Sequence, residues 1–411
     1  MGQLRLKNFI PGCLFTLLLF IQCLENLTQV AVLQTLLKHL DELLVLAATA
    51  YLILHWRYLF QKKRLLTSLW LCFMGVGGIS SLVFRYQPLM PALMDALVVV
   101  NKFMVGYLTA YLYSCQHPGH LYPRMNGAAR ILSVVLLAFA IHDIFLPPFF
   151  EPGEFRYFIN SLVLMFPHQT YLAAACVTLL VLLGANNEKQ QNLPYMLMAT
   201  FVGMMTLRGK AVAFFGVYWV LYICILVFRN RHYLALLVGG GLAAVIVGME
   251  QIVLYFFTDS HYSPRSIMTS DSIRLMLQHF PLGTGFATFG STLAESNYSP
   301  LYLQLGYDNN YGMGPEDAMF LTDGFWPEIF AQFGVVGTIL FLVVLVLLFK
   351  SILKTLRCRT KAGFAMLMIF INMLINSTAE SSFFNPASFL LFILFGLMEE
   401  KDIQPRKGPT L

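Results

Sequence analysis

Runs of about 20 mainly apolar residues, the length a helix needs to cross a hydrocarbon core, recur along this chain between short polar breaks. They fall near residues 8–27, 40–56, 66–84, 92–114, 129–148, 160–184, 192–207, 210–228, 232–256, 326–349, 362–379 and 383–399. The pattern predicts an all-α integral membrane fold, a polytopic bundle of about twelve transmembrane helices with one large, partly helical loop. Helices one to nine occupy 1–256, the loop 257–325, helices ten to twelve 326–400, and a tail 401–411.

Charge orients the bundle. With a cytoplasmic N-terminus, the inside segments contain Arg5 and Lys7, then Arg57, Lys62, Lys63 and Arg64, then Arg124 and Arg130, then Lys189, Arg229 and Arg231. Lys350, Lys354, Arg357, Arg359 and Lys361 follow, then Lys401, Arg406 and Lys407, so most of the 27 cationic residues lie inside. The positive-inside rule then puts both termini in the cytoplasm and the loop on the extracytoplasmic side. Composition agrees: 58% of residues are apolar and 12% charged, against about 25% charged in soluble domains, and no polar half stands apart as a second domain. The formal charge of +6 is spent on topology, and nucleic acid is not an expected partner. The cysteines sit singly with no metal-ligand spacing, so neither disulfide nor metal is expected. MGQLRLK and the apolar run behind it lack a small-residue cleavage site and are expected to remain as the first helix.

Lys38, Arg85, Lys102, Arg156, Arg208, Lys210, Arg265 and Arg274 break the charge rule, lying outside or at membrane depth, and some of them are expected to bind an anion. Arg156, in FFEPGEFRYF, could equally be a solvated partner of Glu151 or Glu154. Arg208 and Lys210 sit in a very short turn between two runs, where anchoring lipid head groups is the alternative. Arg265 and Arg274 divide between phosphate contact and ion pairs with Asp259 and Asp271. His168 begins the sixth run, as a proton-transfer group or an ordinary helix-start residue. Within the bilayer, Asp95, Lys102 and Glu250 are costly unless paired or facing a cavity. His142 and Asp143 are adjacent and so poorly placed to bond each other on a helix; they read as structural.

In the loop, Ser270 and Asp271 can cap a short amphipathic helix with Ile273, Met276, Leu277 and Phe280 on one face. Pro281 ends it, and Gly283, Gly285 and Gly290 make the next stretch a tight turn. Tyr298, Tyr302, Tyr307 and Tyr311, interleaved with amides, suit stacking on sugar rings or a wet membrane interface.

FPLGTGFATFGS from Phe280, YSPLY from Tyr298 and LTDGFWPEIFAQFGVVGT from Leu321 resemble the O-antigen polymerase and O-antigen ligase superfamily. FPHQTYLA from Phe166 and TLRGK from Thr206 extend the likeness in order, with Gln169 where that family usually has proline. The resemblance implies a glycosyltransferase of the bacterial cytoplasmic membrane whose donor is an undecaprenyl-diphosphate-linked oligosaccharide repeat. An acceptor hydroxyl would attack the anomeric carbon and displace the diphosphate, held by Arg156, Arg208, Lys210, Arg265 and Arg274. Asp323, Glu328 and His168 are the catalytic candidates it implies, with Asp323 also a plausible helix cap; His261, His279, Glu295, Asp317, Glu380 and Asp143 stay open as bases. No cofactor is expected. Membrane lipids, a flippase and a chain-length regulator are the expected companions. A polymerase is the leading expectation, a ligase that moves a finished glycan its nearest rival, and a flippase or transporter a more distant one.

Overall fold

The computed structural model describes residues 2–27, 37, 39–117, 121–227 and 263–399. The ninth apolar run, the start of the loop and the tail, with Lys38, Arg229, Arg231, Glu250, Asp259, His261, Lys401, Arg406 and Lys407, lie outside the described residues.

The described chain is an all-α membrane protein. Its helices are α1 (Gly2–Leu27), α2 (Leu40–Leu54), α3 (Trp56–Phe84), α4 (Leu89–Met94), α5 (Lys102–Gln116), α6 (Asn126–Phe145), α7 (Gln169–Ala185), α8 (Leu193–Met204) and α9 (Gly209–Leu221). After the gap come α10 (Pro264–Gln278), α11 (Thr292–Ser296), α12 (Pro300–Gln304), α13 (Phe325–Cys358), α14 (Thr360–Asn376) and α15 (Pro386–Met398). β1 (Phe155–Arg156) and β2 (Ile159–Asn160) form one small antiparallel hairpin.

Among the described residues, four stretches are long and apolar enough to cross a bilayer: Trp56–Phe84, Tyr122–Phe145, Gly209–Val227 and Phe325–Cys358. Leu89–Val100 and Lys102–Gln116 would make a fifth if taken as one span bent by 48°. Shorter apolar helices fill the first, sixth, seventh, eleventh and twelfth runs. The sixth run differs from the sequence reading: residues 160–168 are strand and turn, and the helix starts only at Gln169. Phe166 is apolar because it packs against Phe20 of α1, with ring centroids 5.6 Å apart, and Val163 faces Gly153 beside the hairpin, reasons that hydropathy cannot distinguish from spanning.

Glycines set how closely the core helices approach. α5 and α15 meet where a Cβ on Gly106 would stand 2.8 Å from the Phe389 carbonyl and one on Gly396 2.9 Å from the Tyr111 nitrogen. Around this seam Phe103, Phe325, Phe341, Phe383, Phe384 and Phe392 interlock at ring-centroid separations of 5.0–6.5 Å, a geometry that favours tilted and edge-on rings.

The loop folds into a satellite core of its own, with Met268, Leu275, Phe289, Leu301, Tyr302, Tyr307, Met313 and Leu321 buried together. Its helix departs from the expectation. α10 begins at Pro264 behind Ser263, so Ser270 and Asp271 are mid-helix and cap nothing. Met268, Ser272 and Leu275 are the buried face, while Ile273, Leu277 and Phe280 are exposed. Helical periodicity found the stripe, but a helix beside a bilayer can carry apolar residues on its outer side too.

The glycine-rich turn has a structural explanation. Gly334 breaks α13, with φ 60° and ψ −160°, and the carbonyls of Ala331 and Gln332 accept instead from Thr284 N at 2.8 Å and Gly285 N at 2.9 Å. Val336 N donates in turn to the Pro281 carbonyl at 3.2 Å. The other side of the turn is fastened to α3, where Ser80 Oγ donates to the Leu282 carbonyl and Phe286 N donates to Ser81 Oγ, both at 2.8 Å. GTGF and FGVVG, 50 residues apart in sequence, therefore satisfy each other's backbone.

Candidate functional site

A cavity of about 1060 Å³ opens among α1, α2, α5, α7, α9, α10, α14 and α15. Arg156, Arg208, Lys210 and Arg265 line it together with His168 and Asp323. Local chemistry puts each one there. Leu207 adopts a left-handed conformation, φ 52°, which ends α8 and leaves Arg208 extended at the start of α9. The hairpin is tied to this turn by Leu162 N donating to the Met205 carbonyl at 3.0 Å. Its register sets Arg156 opposite Ile159, beside Glu154 at the mouth.

Glu154 binds both arginines, accepting from Arg156 Nε at 2.8 Å and lying 3.5 Å from Arg208. That contact with Arg156 holds the Glu154 carboxyl below its ordinary 4.5. His168 occupies the N-cap position of α7; Thr170 N approaches Nδ1 at 3.3 Å and Arg208 Nη2 approaches Nε2 at 2.5 Å. A neutral imidazole has one free lone pair, so the two donors compete. The charged donor at shorter range wins, which places the proton on Nδ1. Burial, and then the Arg208 charge, depress the His168 pKa below 6.5, so the ring is neutral at physiological pH. Gln169 turns its amide oxygen to accept from Arg208 Nε at 3.2 Å and Nη2 at 2.9 Å. Gln169 is thus part of the cradle around Arg208.

Lys210 lies 3.4 Å from Glu380 and Arg265 2.9 Å from Asp323. A further pair, Lys102 with Asp41 at 2.8 Å, closes the opposite part of the wall. Each lining cation is therefore matched by a carboxylate within the protein, and an incoming anion competes with these pairs. Asn372, Asn376, Asn385 and Thr292 add neutral polar groups, while Ile21, Pro386 and Leu391 make one side apolar. Sequence reasoning did not single out Asp41, Asn372 or Asn376, and it noted Gln169 only as a departure from the resembled motif. Only Lys102's presence at membrane depth pointed toward that part of the wall.

Several sequence candidates are not brought to the cavity. Arg274 pairs with Asp271 at 2.8 Å on the exposed side of α10. Glu328 is fully buried behind Ser381, whose hydroxyl donates to it at 2.5 Å, and Ser381 rather than Glu328 meets the cavity. Asp323 caps nothing, since Gly324 precedes α13 and Asp323 holds Arg265. Tyr302 and Tyr307 are fully buried; the Tyr302 hydroxyl accepts from Gly290 N, and that of Tyr307 donates to Asp271. A ring enclosed on both faces cannot stack on sugar, so these two belong to the satellite core. Tyr298 is half-buried and donates to the Met313 carbonyl, and Tyr311 alone of the four is exposed. His279 bonds the Tyr86 hydroxyl at 2.8 Å, away from the cavity lining. His142 and Asp143 do meet, at 3.2 Å, with Phe149 stacked on the imidazole.

Asp95 and Lys102 do not share a face. The π-helical turn Asp95–Val100 and the bend after it rotate them apart. Asp95, fully buried, accepts from Ala287 N at 2.6 Å, while Lys102 turns to α2.

No protein-family model matches this chain, and no curated protein matches it.

Proposed function

We propose that the protein transfers an oligosaccharide from a lipid diphosphate to an acceptor hydroxyl, extending a surface polysaccharide outside the bacterial cytoplasmic membrane. The observation that carries this reading is the convergence of Arg156 from the hairpin, Arg208 and Lys210 from the start of α9 and Arg265 from α10 on one cavity that also holds His168. Displacing a diphosphate loads negative charge onto phosphate oxygens, and fixed guanidinium donors stabilise that charge as the bond breaks. The apolar side, with Ile21, Pro386 and Leu391, suits the start of a hydrocarbon tail. The amides and carboxylates elsewhere in the lining suit sugar hydroxyls.

The pairing within the cavity supplies a sequence of events. When the diphosphate takes Arg208, the guanidinium leaves His168 Nε2, whose lone pair then faces the cavity. The acceptor hydroxyl gives its proton to Nε2 as its oxygen bonds the anomeric carbon, and the carbon–oxygen bond to phosphate breaks, releasing the lipid diphosphate. Arg156 and Lys210 follow the growing phosphate charge, and Glu154 and Glu380 recover them afterwards.

One observation favours a second reading as a transporter: the Leu89–Val100 and Lys102–Gln116 pair is bent by 48° with a buried carboxylate and a cavity-lining lysine on either side of the bend, and interrupted helices of this kind occur in substrate-translocating proteins. Purified protein in liposomes with lipid-diphosphate-linked repeats separates the readings. A ladder of multiple repeats is the expected product. A single transfer to a foreign acceptor would mean a ligase, and movement of the lipid without new glycosidic bonds would mean a transporter.

A further inference from the structure

The hairpin that presents Arg156 carries a second feature, which the proposed chemistry does not use. Its connection is two residues long, Tyr157 and Phe158, and both lie in the left-handed region at φ 49° and 69°. Turns of this kind favour Asn-Gly because a bulky side chain crowds the backbone there. Here the chain places two aromatic rings instead, and directs them outward: Tyr157 is 76% and Phe158 93% exposed. Phe155 and Ile159, on the flanking strands, are exposed as well. Tyr157, Phe158 and Ile159 carry no charge, whereas the neck behind them holds the Arg156–Glu154 pair.

The surface leading to this tip is apolar too. α6 belongs to a stretch long and apolar enough to span, and its outward residues Ile131, Val134, Ile141, Ile144 and Phe145 are exposed. Leu146 and Phe149 continue that exposure toward the hairpin, with Phe149 folded back onto His142. Exposed apolar surface at the end of a span thus comes close to the tip along the chain, with Glu151, Pro152 and Glu154 between them.

We propose that the Tyr157–Phe158 tip rests in the interfacial layer of the bilayer, with lipid as its partner, and so pins the cavity mouth at head-group level. Aromatic rings with one polar handle favour that layer. The neck then sets Arg156 at the depth of lipid phosphates, and the cavity opens sideways to the leaflet rather than upward to water. The left-handed turn is a means of aiming both rings the same way from a connection of minimal length.

The test uses Phe158→Trp in the full-length protein, reconstituted in vesicles of phosphatidylethanolamine and phosphatidylglycerol with and without lipids brominated near the head group. Emission of the identically treated parent, from Trp56, Trp70, Trp219 and Trp326, is subtracted. The added emission is expected to be blue-shifted and to fall at least about twofold with bromolipid, as for an interfacial aromatic residue. Tyr157→Trp should behave alike, and it serves if the first variant fails to fold. Added emission that bromolipid leaves unchanged overturns the proposal. Aqueous iodide then tells which alternative holds: quenching means that the tip stands in water, and protection means that it packs against protein.

Discussion

At the residue scale, Arg208 meets Glu154, His168 and Gln169 in the cavity. Arg208→Ala is expected to slow glycan elongation in liposomes about 100-fold or more, the size of losing one fixed donor to a charged transition state. Arg208→Lys should recover little, because an ammonium cannot hold Gln169 and two phosphate oxygens from one planar fork. His168 sets the pH dependence. Its folded pKa lies below 6.5, so the unfolded chain takes up a proton there first as pH falls. The stability from keeping the ring neutral is present above 6.5 and is lost as pH drops through the folded value. Elongation should therefore be flat near neutrality and fall only on the acid side, and His168→Gln should remove that acid limb along with most of the rate. A rate profile that rises as pH falls through 6 would contradict a neutral His168 acting as base. Sequence identified Arg156, Arg208, Lys210, Arg265, His168 and Asp323 through charge at unexpected positions and through motif order. It marked Gln169 only as a departure from a motif and could not give it a role, since a neutral amide at a helix start has no signature until its partner is placed beside it.

At the element scale, the GTGF turn and the break in α13 form one device. Gly334 holds a backbone conformation that is essentially restricted to glycine, and a Cβ there would lie 2.7 Å from the Pro281 carbonyl oxygen. Gly334→Ala is expected to cost about 2 kcal/mol or more, read as a lower midpoint of thermal unfolding in detergent. Because the turn also fastens α3 through Ser80 and Ser81, the loss should spread beyond α13, and hydrogen exchange should speed up at Thr284 and Gly285. The sequence marked the first segment as glycine-rich and placed both in one resemblance. That they complete each other's hydrogen bonds depends on a helix leaving two carbonyls open at the point where another segment offers two amides. The tyrosine stretch shows the opposite failure: alternating aromatics and amides resemble a sugar platform in one dimension, yet Tyr302 and Tyr307 turn inward because the loop needs a core.

At the scale of the whole molecule, buried charge joins distant parts of the bundle. Lys102 on α5 and Asp41 on α2 have side chains only 6% and 16% exposed. Asp41→Asn leaves a buried ammonium without its counter-charge and is expected to cost about 3–5 kcal/mol, whereas Lys102→Met with Asp41→Leu should restore most of it. Equal destabilisation of single and double variants in a detergent unfolding series would show that the pair is not the joint. Hydropathy and charge by themselves determined that this is an all-α membrane protein and where nearly every described helix lies, because a bilayer accepts only backbones that bond internally and side chains that match their depth. They also marked the cations that topology leaves unexplained. Tertiary structure alone decided which of those cations share a cavity, that each already holds a carboxylate, and that Arg274 and Glu328 stand apart from it. Those outcomes depend on distances between residues far apart in the chain, set by helix breaks, glycine seams and one strained hairpin, and no local pattern encodes such distances.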